Sequence, residues 1–332
     1  MPDIVIEARQ LAKTYVRPLK EPGFRGSLKA LFHPSHTEKH ALSGFDLTVE
    51  AGELVGLIGP NGAGKTTLVK LLCGIVQPTS GSLSVLGYQP GELRDDFRRR
   101  YAVVMGQKSQ LWWDLPALDT FRLNREIYAV DPGAWQRNLD EYVDLFNVSD
   151  LLQVPVRNLS LGERMKMELL AALLHEPDLL FLDEPTIGLD AVAQKGMRAF
   201  LREVNASRGV TVLLTSHYME DIRHLCRRTV VVNEGAKMYD GPLDALLDRF
   251  QGRRCVTVTL QEPVGLALQL PQEVTFVERQ PWRLSLEVDR TGVRDLLASL
   301  LAQCDIDDIR IEDEEIGNVI ERIYRSGREV FA

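Results

Sequence analysis

The sequence contains no run of about 18 apolar residues, the length a helix needs to cross a bilayer. A chain of this kind that works at a membrane must dock on the helices of another protein. Cysteine is scarce. Cys73, Cys226, Cys255 and Cys304 stand far apart, with no CxxC pair to hold a metal and no dense framework to staple a secreted scaffold. Reduced, buried thiols are expected. A basic excess is missing too. Lys plus Arg number 39 against 47 Asp plus Glu, a formal charge of −8, so nucleic acid is not an expected partner. Acidic residues break the opening MPDIVIEARQ early, and it is not expected to act as a signal peptide. There is no internal repeat and no low-complexity tract. What is present is an ordinary globular composition, 45% hydrophobic and 26% charged over 332 residues, long enough for two domains.

Short strands are expected at 4–8 and, from alternating apolar and polar residues, at 45–50. The continuous apolar run LVGLI at 54–58 fits a strand buried on both faces. A helix follows at 66–74. Further buried strands are expected at 101–105, 179–182, 210–215 and 229–233, with helices at 164–175 and 191–207. Buried strands alternating with helices imply an α/β core. The character changes near 249–254. Short alternating segments at 256–260, 274–278, 284–288 and 306–311, with helices at 293–303 and 315–325, predict a separate α+β module of about 80 residues.

Gly59-Pro60-Asn61-Gly62-Ala63-Gly64-Lys65-Thr66 fits G-x-x-x-x-G-K-[ST], between an expected strand and an expected helix, as that pattern requires. Its glycines let backbone N–H groups turn inward around phosphate oxygens, and the helix N-terminus adds its positive end. Lys65 can reach the β- and γ-phosphates, and the Thr66 hydroxyl can hold Mg²⁺. By itself the motif says only "nucleoside triphosphate".

The apolar run Leu179-Leu180-Phe181-Leu182 ends at Asp183-Glu184, and strand ends are where open α/β sheets place ligands. Asp183 would support Mg²⁺. Glu184 would orient and activate an attacking water as general base. An Asp-Glu pair before Pro185 is also common at surface turns. Its place after four apolar residues, downstream of a phosphate loop, favours the catalytic reading.

With these motifs in one order, residues 1–248 resemble the ABC ATPases. Leu159-Ser160-Leu161-Gly162-Glu163 is similar to the ABC signature, usually Leu-Ser-Gly-Gly-Gln. Gln107 corresponds to the Q-loop glutamine, with Gln110 as a rival. Ile187-Gly188-Leu189-Asp190 looks like the D-loop, and Asp190 also suits a helix N-cap. His217 matches the switch histidine, and Tyr15 the aromatic that stacks on adenine. The resemblance implies a P-loop NTPase cassette over 1–248, with a RecA-like α/β core, an antiparallel β subdomain and a helical subdomain, and a small α+β accessory domain over 249–332. It implies ATP held by Tyr15, Gly59, Asn61, Gly62, Ala63, Gly64, Lys65, Thr66 and Thr67. It implies Mg²⁺ held by Thr66, Gln107 and Asp183, and catalysis by Glu184, His217 and Gln107. The cassette would pair head to tail with a second copy, whose Ser160 and Gly162 N–H contact the γ-phosphate across the interface, and Asp190 is counted with the nucleotide-binding residues.

Two signature positions depart from the pattern. Leu161 replaces a glycine and requires negative φ. Glu163 replaces glutamine and brings a carboxylate near a triphosphate, so its side chain is expected to point away. Residues 17–40 form an insertion with Lys20, Arg25, Lys29 and Lys39 beside Phe24, Leu28, Leu31 and Phe32. This reads as a basic amphipathic element for anionic lipid or a permease, or as a solvated loop. Of Trp112 and Trp113, in the region that faces the permease in this family, one is expected buried and one partly exposed. The acidic run 312–315 reads as a solvated face.

The segment 107–116, the Leu-Ser-Leu-Gly signature and the stretch 215–219 resemble the bacterial exporter branch of the family. The expected function is therefore the ATP-hydrolysing subunit of an ABC transporter. It would act at the cytoplasmic face of the membrane and power a separate permease, in the direction of export. A non-transport ABC ATPase and an ATP-dependent regulatory binding switch are the alternatives. One phosphate loop and the absence of a heptad-patterned interruption weigh against the first. The presence of both Glu184 and His217 weighs against the second.

Overall fold

The computed structural model describes residues 3–18, 36–106, 108–216, 218–250, 252–263, 268–271, 274–314 and 316–326. The chain divides into two compact units, Met1–Leu243 and Asp244–Ala332.

In the first unit the elements run β1 (Ile4–Pro18), β2 (His36–Glu50), β3 (Leu54–Ile58), α1 (Lys65–Leu72), β4 (Ser80–Val85), β5 (Tyr101–Met105), α2 (Ala117–Tyr128), α3 (Pro132–Phe146) and α4 (Leu161–Leu173). They continue with β6 (Leu179–Asp183), α5 (Ala191–Arg208), β7 (Thr211–Thr215), α6 (Met219–Leu225), β8 (Arg228–Asn233) and β9 (Ala236–Gly241). One sheet has the order β5-β6-β7-β3-β8-β9, parallel throughout except at β9. Every residue of β3 and β7 is buried, as expected of interior parallel strands covered on both faces. The phosphate loop leaves the end of β3, and the Asp183-Glu184 pair leaves the end of β6, with β7 between them. Both motifs therefore open at the carboxyl edge of one sheet, where ligands bind in such folds.

A second, antiparallel sheet has the order β2-β1-β4. Strands β1 and β2 are each 15 residues long, and their pairing runs from Ile4↔Glu50 to Pro18↔His36. The expected short strands at 4–8 and 45–50 are thus parts of one long ribbon. The flanks of the expected insertion, 17–18 and 36–40, are strand; Lys20, Arg25 and Lys29 lie outside the described residues. The helical part is built on clear local signals. Asp131 caps α3 by accepting the Ala134 N–H at 2.9 Å, with Pro132 in the first turn. Helix α4 packs against α2, α3 and β5.

The second unit begins within the helix α7 (Leu243–Phe250). It contains β10 (Arg253–Leu260), β11 (Thr275–Gln280), β12 (Arg283–Asp289), α8 (Val293–Gln303), β13 (Ile306–Asp313) and α9 (Ile316–Ser326). Its antiparallel sheet has the order β11-β12-β10-β13 and covers its own core of Val256, Val258, Leu284, Leu286, Leu296 and Leu300. Among its described residues, 312–314, the acidic run departs from the solvated-face expectation at one position; Glu315 lies outside the described residues. Glu314 is buried and accepts a 2.8 Å contact from Arg322, while Glu312 and Asp313 are exposed. The thiols also divide: Cys73 and Cys226 are buried, and Cys255 and Cys304 are partly exposed.

Candidate nucleotide site

The loop 59–64 turns tightly between β3 and α1. Gly64, the residue before the first helical turn, has φ +112°. A Cβ there would lie 2.5 Å from the Ala41 carbonyl oxygen, so no other residue fits. The helix opens directly at Lys65, which leaves its first N–H groups facing the loop. Lys65 itself is only 5% exposed, and its Nζ donates to the Gly59 carbonyl at 2.5 Å and the Pro60 carbonyl at 3.2 Å. Burial pulls its pKa down, while the nearby carboxylates of Glu184 and Asp183 oppose that shift. A buried ammonium held by carbonyls and facing two carboxylates suits an anionic ligand that brings its own charge.

Three strand ends meet beside it. The Thr66 hydroxyl donates to Asp183 Oδ2 at 3.3 Å. On the other side, the Thr215 hydroxyl donates to Asp183 Oδ1 at 2.6 Å and accepts the Glu184 N–H at 3.1 Å. The sheet register sets this arrangement, with Asp183 opposite Thr215 and Thr215 opposite Leu57. Thr215, which holds both acidic residues, was not among the site residues expected from the sequence. Its signal was a polar residue closing an apolar strand at the level of Asp183. Glu184 has φ +55°, an uncommon conformation for a residue with a side chain.

Lys65, Thr66 and Glu184 line a groove of about 460 Å³. Its walls bring together the predicted residues Tyr15, Asn61, Gly62, Ala63, Gly64, Lys65, Thr66, Thr67 and Glu184, and add Val16, Lys39, Ala41 and Lys70. Lys13 Nζ lies 5.2 Å from the Tyr15 ring centroid, on one face of the ring. Gln107 and His217 lie outside the described residues. The rival Gln110 donates its side-chain amide to the Glu168 carbonyl at 3.0 Å.

Of the predicted site residues, Gly59, Ser160, Gly162, Asp183 and Asp190 are not among those lining the groove. Ser160 is the N-cap of α4, and Leu161 enters the helix without positive φ, as its side chain requires. Gly188 stands close by, since a Cβ on it would lie 2.9 Å from Leu161 Cδ2. Asp190 caps α5 by accepting the Ala193 N–H at 2.8 Å. Glu163 does not point away. Its carboxylate turns back onto Ser160 in a capping box, because the exposed N–H groups of a helix start attract the nearest acceptor. The tryptophans depart from expectation as well. Trp112 and Trp113 are 54% and 52% exposed, so neither ring enters the core, and Arg164 lies over the Trp113 ring, 5.6 Å from its centroid.

Among the described residues no helix is long and apolar enough to cross a membrane. Residues 42–187 match the family model described as ABC transporter. A Nod factor export ATP-binding protein I of Burkholderia lata is 34% identical over 233 residues, 70% of this chain and 76% of that protein. The linearmycin resistance ATP-binding protein LnrL of Bacillus subtilis is 27% identical over 272 residues, 81% of this chain and 87% of that protein. Among solved structures, one described as the ATP-binding subunit of an ABC transporter superposes with a TM-score of 0.62 at 26% identity. The match covers 74% of this chain and 93% of that one. With the phosphate loop and Glu184, at the edge of the same sheet, lining one groove, the chain belongs to the ABC transporter family as an ATP-binding subunit, with the fold of its ATPase cassette.

Proposed function

We propose that the chain hydrolyses ATP with Mg²⁺ as one half of a head-to-tail pair, and that the pair drives an export permease from the cytoplasmic face of the membrane. The observation that carries the reading is a division of the machinery. The groove of one copy is lined by Lys65, Thr66 and Glu184, with Asp183 3.3 Å behind the Thr66 hydroxyl, while Ser160 and Gly162 lie elsewhere on the same copy. A second copy would bring its own helix start to the open side of the groove, where a serine hydroxyl and N–H groups suit a γ-phosphate.

The oxygen donors beside Lys65 fit a hard divalent cation. A hydroxyl and a carboxylate oxygen stand 3.3 Å apart, with no sulfur or imidazole among them. Thr66 and Asp183 would hold it, with Gln107 as the third protein ligand, and it would neutralise charge on the β- and γ-phosphates. In this reading Lys65 and the loop N–H groups, from Gly59 to Thr67, bind the phosphates. Tyr15 stacks on the base. Glu184 orients the attacking water and takes its proton, and His217 contacts the γ-phosphate. Asp190 of the partner copy closes the far side.

Export is proposed from the exporter names of the relatives and from the exporter-type segments in the sequence. The second unit, 244–332, is proposed as an accessory domain. The test is ATP hydrolysis by the wild type beside Glu184→Gln, with particle mass measured with and without MgATP. Turnover by the wild type, with an ATP-dependent dimer of the variant, is the expected result. Equal turnover by the two would remove Glu184 as the base. A monomeric variant at saturating ATP would remove the pair.

A further inference from the structure

Glu168 is the one signature-helix carboxylate that is buried, at 3% exposed, and the family motif does not account for it. Two turns of α4 separate it from Ser160, about 12 Å along the axis. Its oxygens face the segment that follows β5. The Ser109 hydroxyl donates to Oε1 at 2.5 Å, and the Gln110 N–H lies 3.2 Å from both oxygens. The Gln110 side chain then returns a bond to the Glu168 carbonyl at 3.0 Å. Three more contacts continue the seam toward the helix start. Arg164 lies over the Trp113 ring, and Arg157 donates to Asp114 at 2.9 Å and, by its N–H, to the Trp113 carbonyl at 2.9 Å. A segment of six residues is therefore fastened along one face of the signature region, and its only buried charge is Glu168.

Burying a carboxylate is costly unless it is fully hydrogen-bonded. An alanine or leucine at this site would fill a helix face at lower cost, so packing alone does not explain a glutamate here. What the carboxylate does supply is three converging acceptor contacts to one short stretch of chain. We infer that Glu168 is a positioning residue that locks 109–111 to the signature helix, so that the exposed Trp112-Trp113 surface and Ser160 move as one body. This rests on the proposed role of Ser160 at a partner copy's nucleotide. Displacement of the tryptophan surface by a docked protein would then carry Ser160 toward or away from that nucleotide, and Glu168 would set the efficiency of turnover without touching ATP.

The test compares Glu168→Ala, Glu168→Gln, Ser109→Ala and the double variant Glu168→Ala/Ser109→Ala in the full chain, with Ser160→Ala alongside. Steady-state ATP hydrolysis gives kcat and KM, and a fluorescent ATP analogue reports occupancy of the groove. Loss of a charged hydrogen-bond anchor is expected to lower kcat about tenfold in Glu168→Ala, with KM and analogue binding within about twofold of wild type. Ser109→Ala should lose about threefold, and the double variant no more than Glu168→Ala, because the two residues form one linkage. Glu168→Gln should keep most of the activity, since its amide can still accept from Gln110 and donate to Ser109.

Wild-type kcat in Glu168→Ala overturns the inference, as does a fall in kcat matched by equal loss of analogue binding, the mark of general unfolding. If Glu168→Ala does not fold, Ser109→Ala decides, and wild-type kcat there overturns the inference too. Ser160→Ala separates the two levels. Full activity in Ser160→Ala removes the signature reading itself. A dead Ser160→Ala beside an unaffected Glu168→Ala removes only the linkage.

Discussion

The Glu163 carboxylate accepts both the N–H and the hydroxyl of Ser160, each at 2.8 Å. The hydroxyl proton that a γ-phosphate would take is thus already engaged by a negative charge on the same helix turn. These two Ser160 contacts also hold the Glu163 pKa below its ordinary value, so the group stays ionised well under neutral pH and no change near neutrality releases it.

Replacing Glu163 by Gln should keep the cap and remove the competing charge. An ATP-bound pair of the Glu184→Gln protein carrying this second change should dissociate about three- to tenfold less readily than the Glu184→Gln protein alone. Sedimentation at a series of protein concentrations with MgATP measures this. Equal or weaker pairing would mean that Ser160 does not need release from Glu163.

Gly106 closes β5 where the chain passes over the turn that carries Glu184. A Cβ at 106 would lie 2.1 Å from the Glu184 carbonyl oxygen, and a backbone atom cannot step aside as a flexible side chain can. Gly106→Ala should therefore displace Glu184 and lower kcat about a hundredfold, the scale on which small misplacements act in catalysis. Analogue binding to the loop 59–64 should survive, because that loop leaves a different strand. Wild-type kcat in Gly106→Ala would show that Glu184 can shift without consequence.

Buried parallel strands were the most legible part of the chain. LVGLI at 54–58 is strand to the residue, because an apolar run short enough to be covered on both faces has few other fates. The phosphate loop and the Asp183-Glu184 pair were equally plain, since each motif carries its own local context. The ribbon of β1 and β2 was not. Its outer half pairs exposed residues such as Val16↔Glu38, and without one buried face there is no alternation to read. Helices α2 and α3 did have signals, above all the Asp131-Pro132 start, that were not used. Thr215 and Glu168 could not be found by motif. Their importance comes from register and from packing between segments 32 and 59 residues apart in sequence.

His175 lies behind α4, stacked on Tyr128 with centroids 3.9 Å apart, and its Nε2 is 3.3 Å from the Tyr101 carbonyl. Burial pushes its pKa down to about 4. The ring is neutral in the folded chain and titrates near 6.5 when unfolded, so the folded state binds fewer protons and loses stability as pH falls from about 6.5 toward 4. At pH 5 this amounts to about 2 kcal/mol relative to neutral pH. His175→Phe keeps an aromatic ring against Tyr128 and cannot be protonated. Urea unfolding at pH 7.5 and pH 5 should show a smaller acid loss in the variant by about that amount. An identical acid loss in the two proteins would show that His175 is not the group responsible.

Thr215 is fully buried between the two carboxylates' strand and the phosphate-loop strand. Its hydroxyl donates to Asp183 Oδ1 and accepts from the Glu184 N–H, which the Thr215 carbonyl also holds at 3.0 Å. Valine has nearly the same shape, and Thr215→Val should fold, but Asp183 would then lose its Oδ1 contact and, among the described residues, keep the Thr66 hydroxyl on Oδ2. A carboxylate free to rotate is a poorer cation ligand than one locked in place. The Mg²⁺ concentration for half-maximal hydrolysis should rise about tenfold, within the range found when such outer partners are removed. Analogue binding in the absence of Mg²⁺ should not change, because Lys65 and the loop are untouched. An unmoved half-maximal Mg²⁺ concentration would show that the Thr215 hydroxyl does not position Asp183 for the cation.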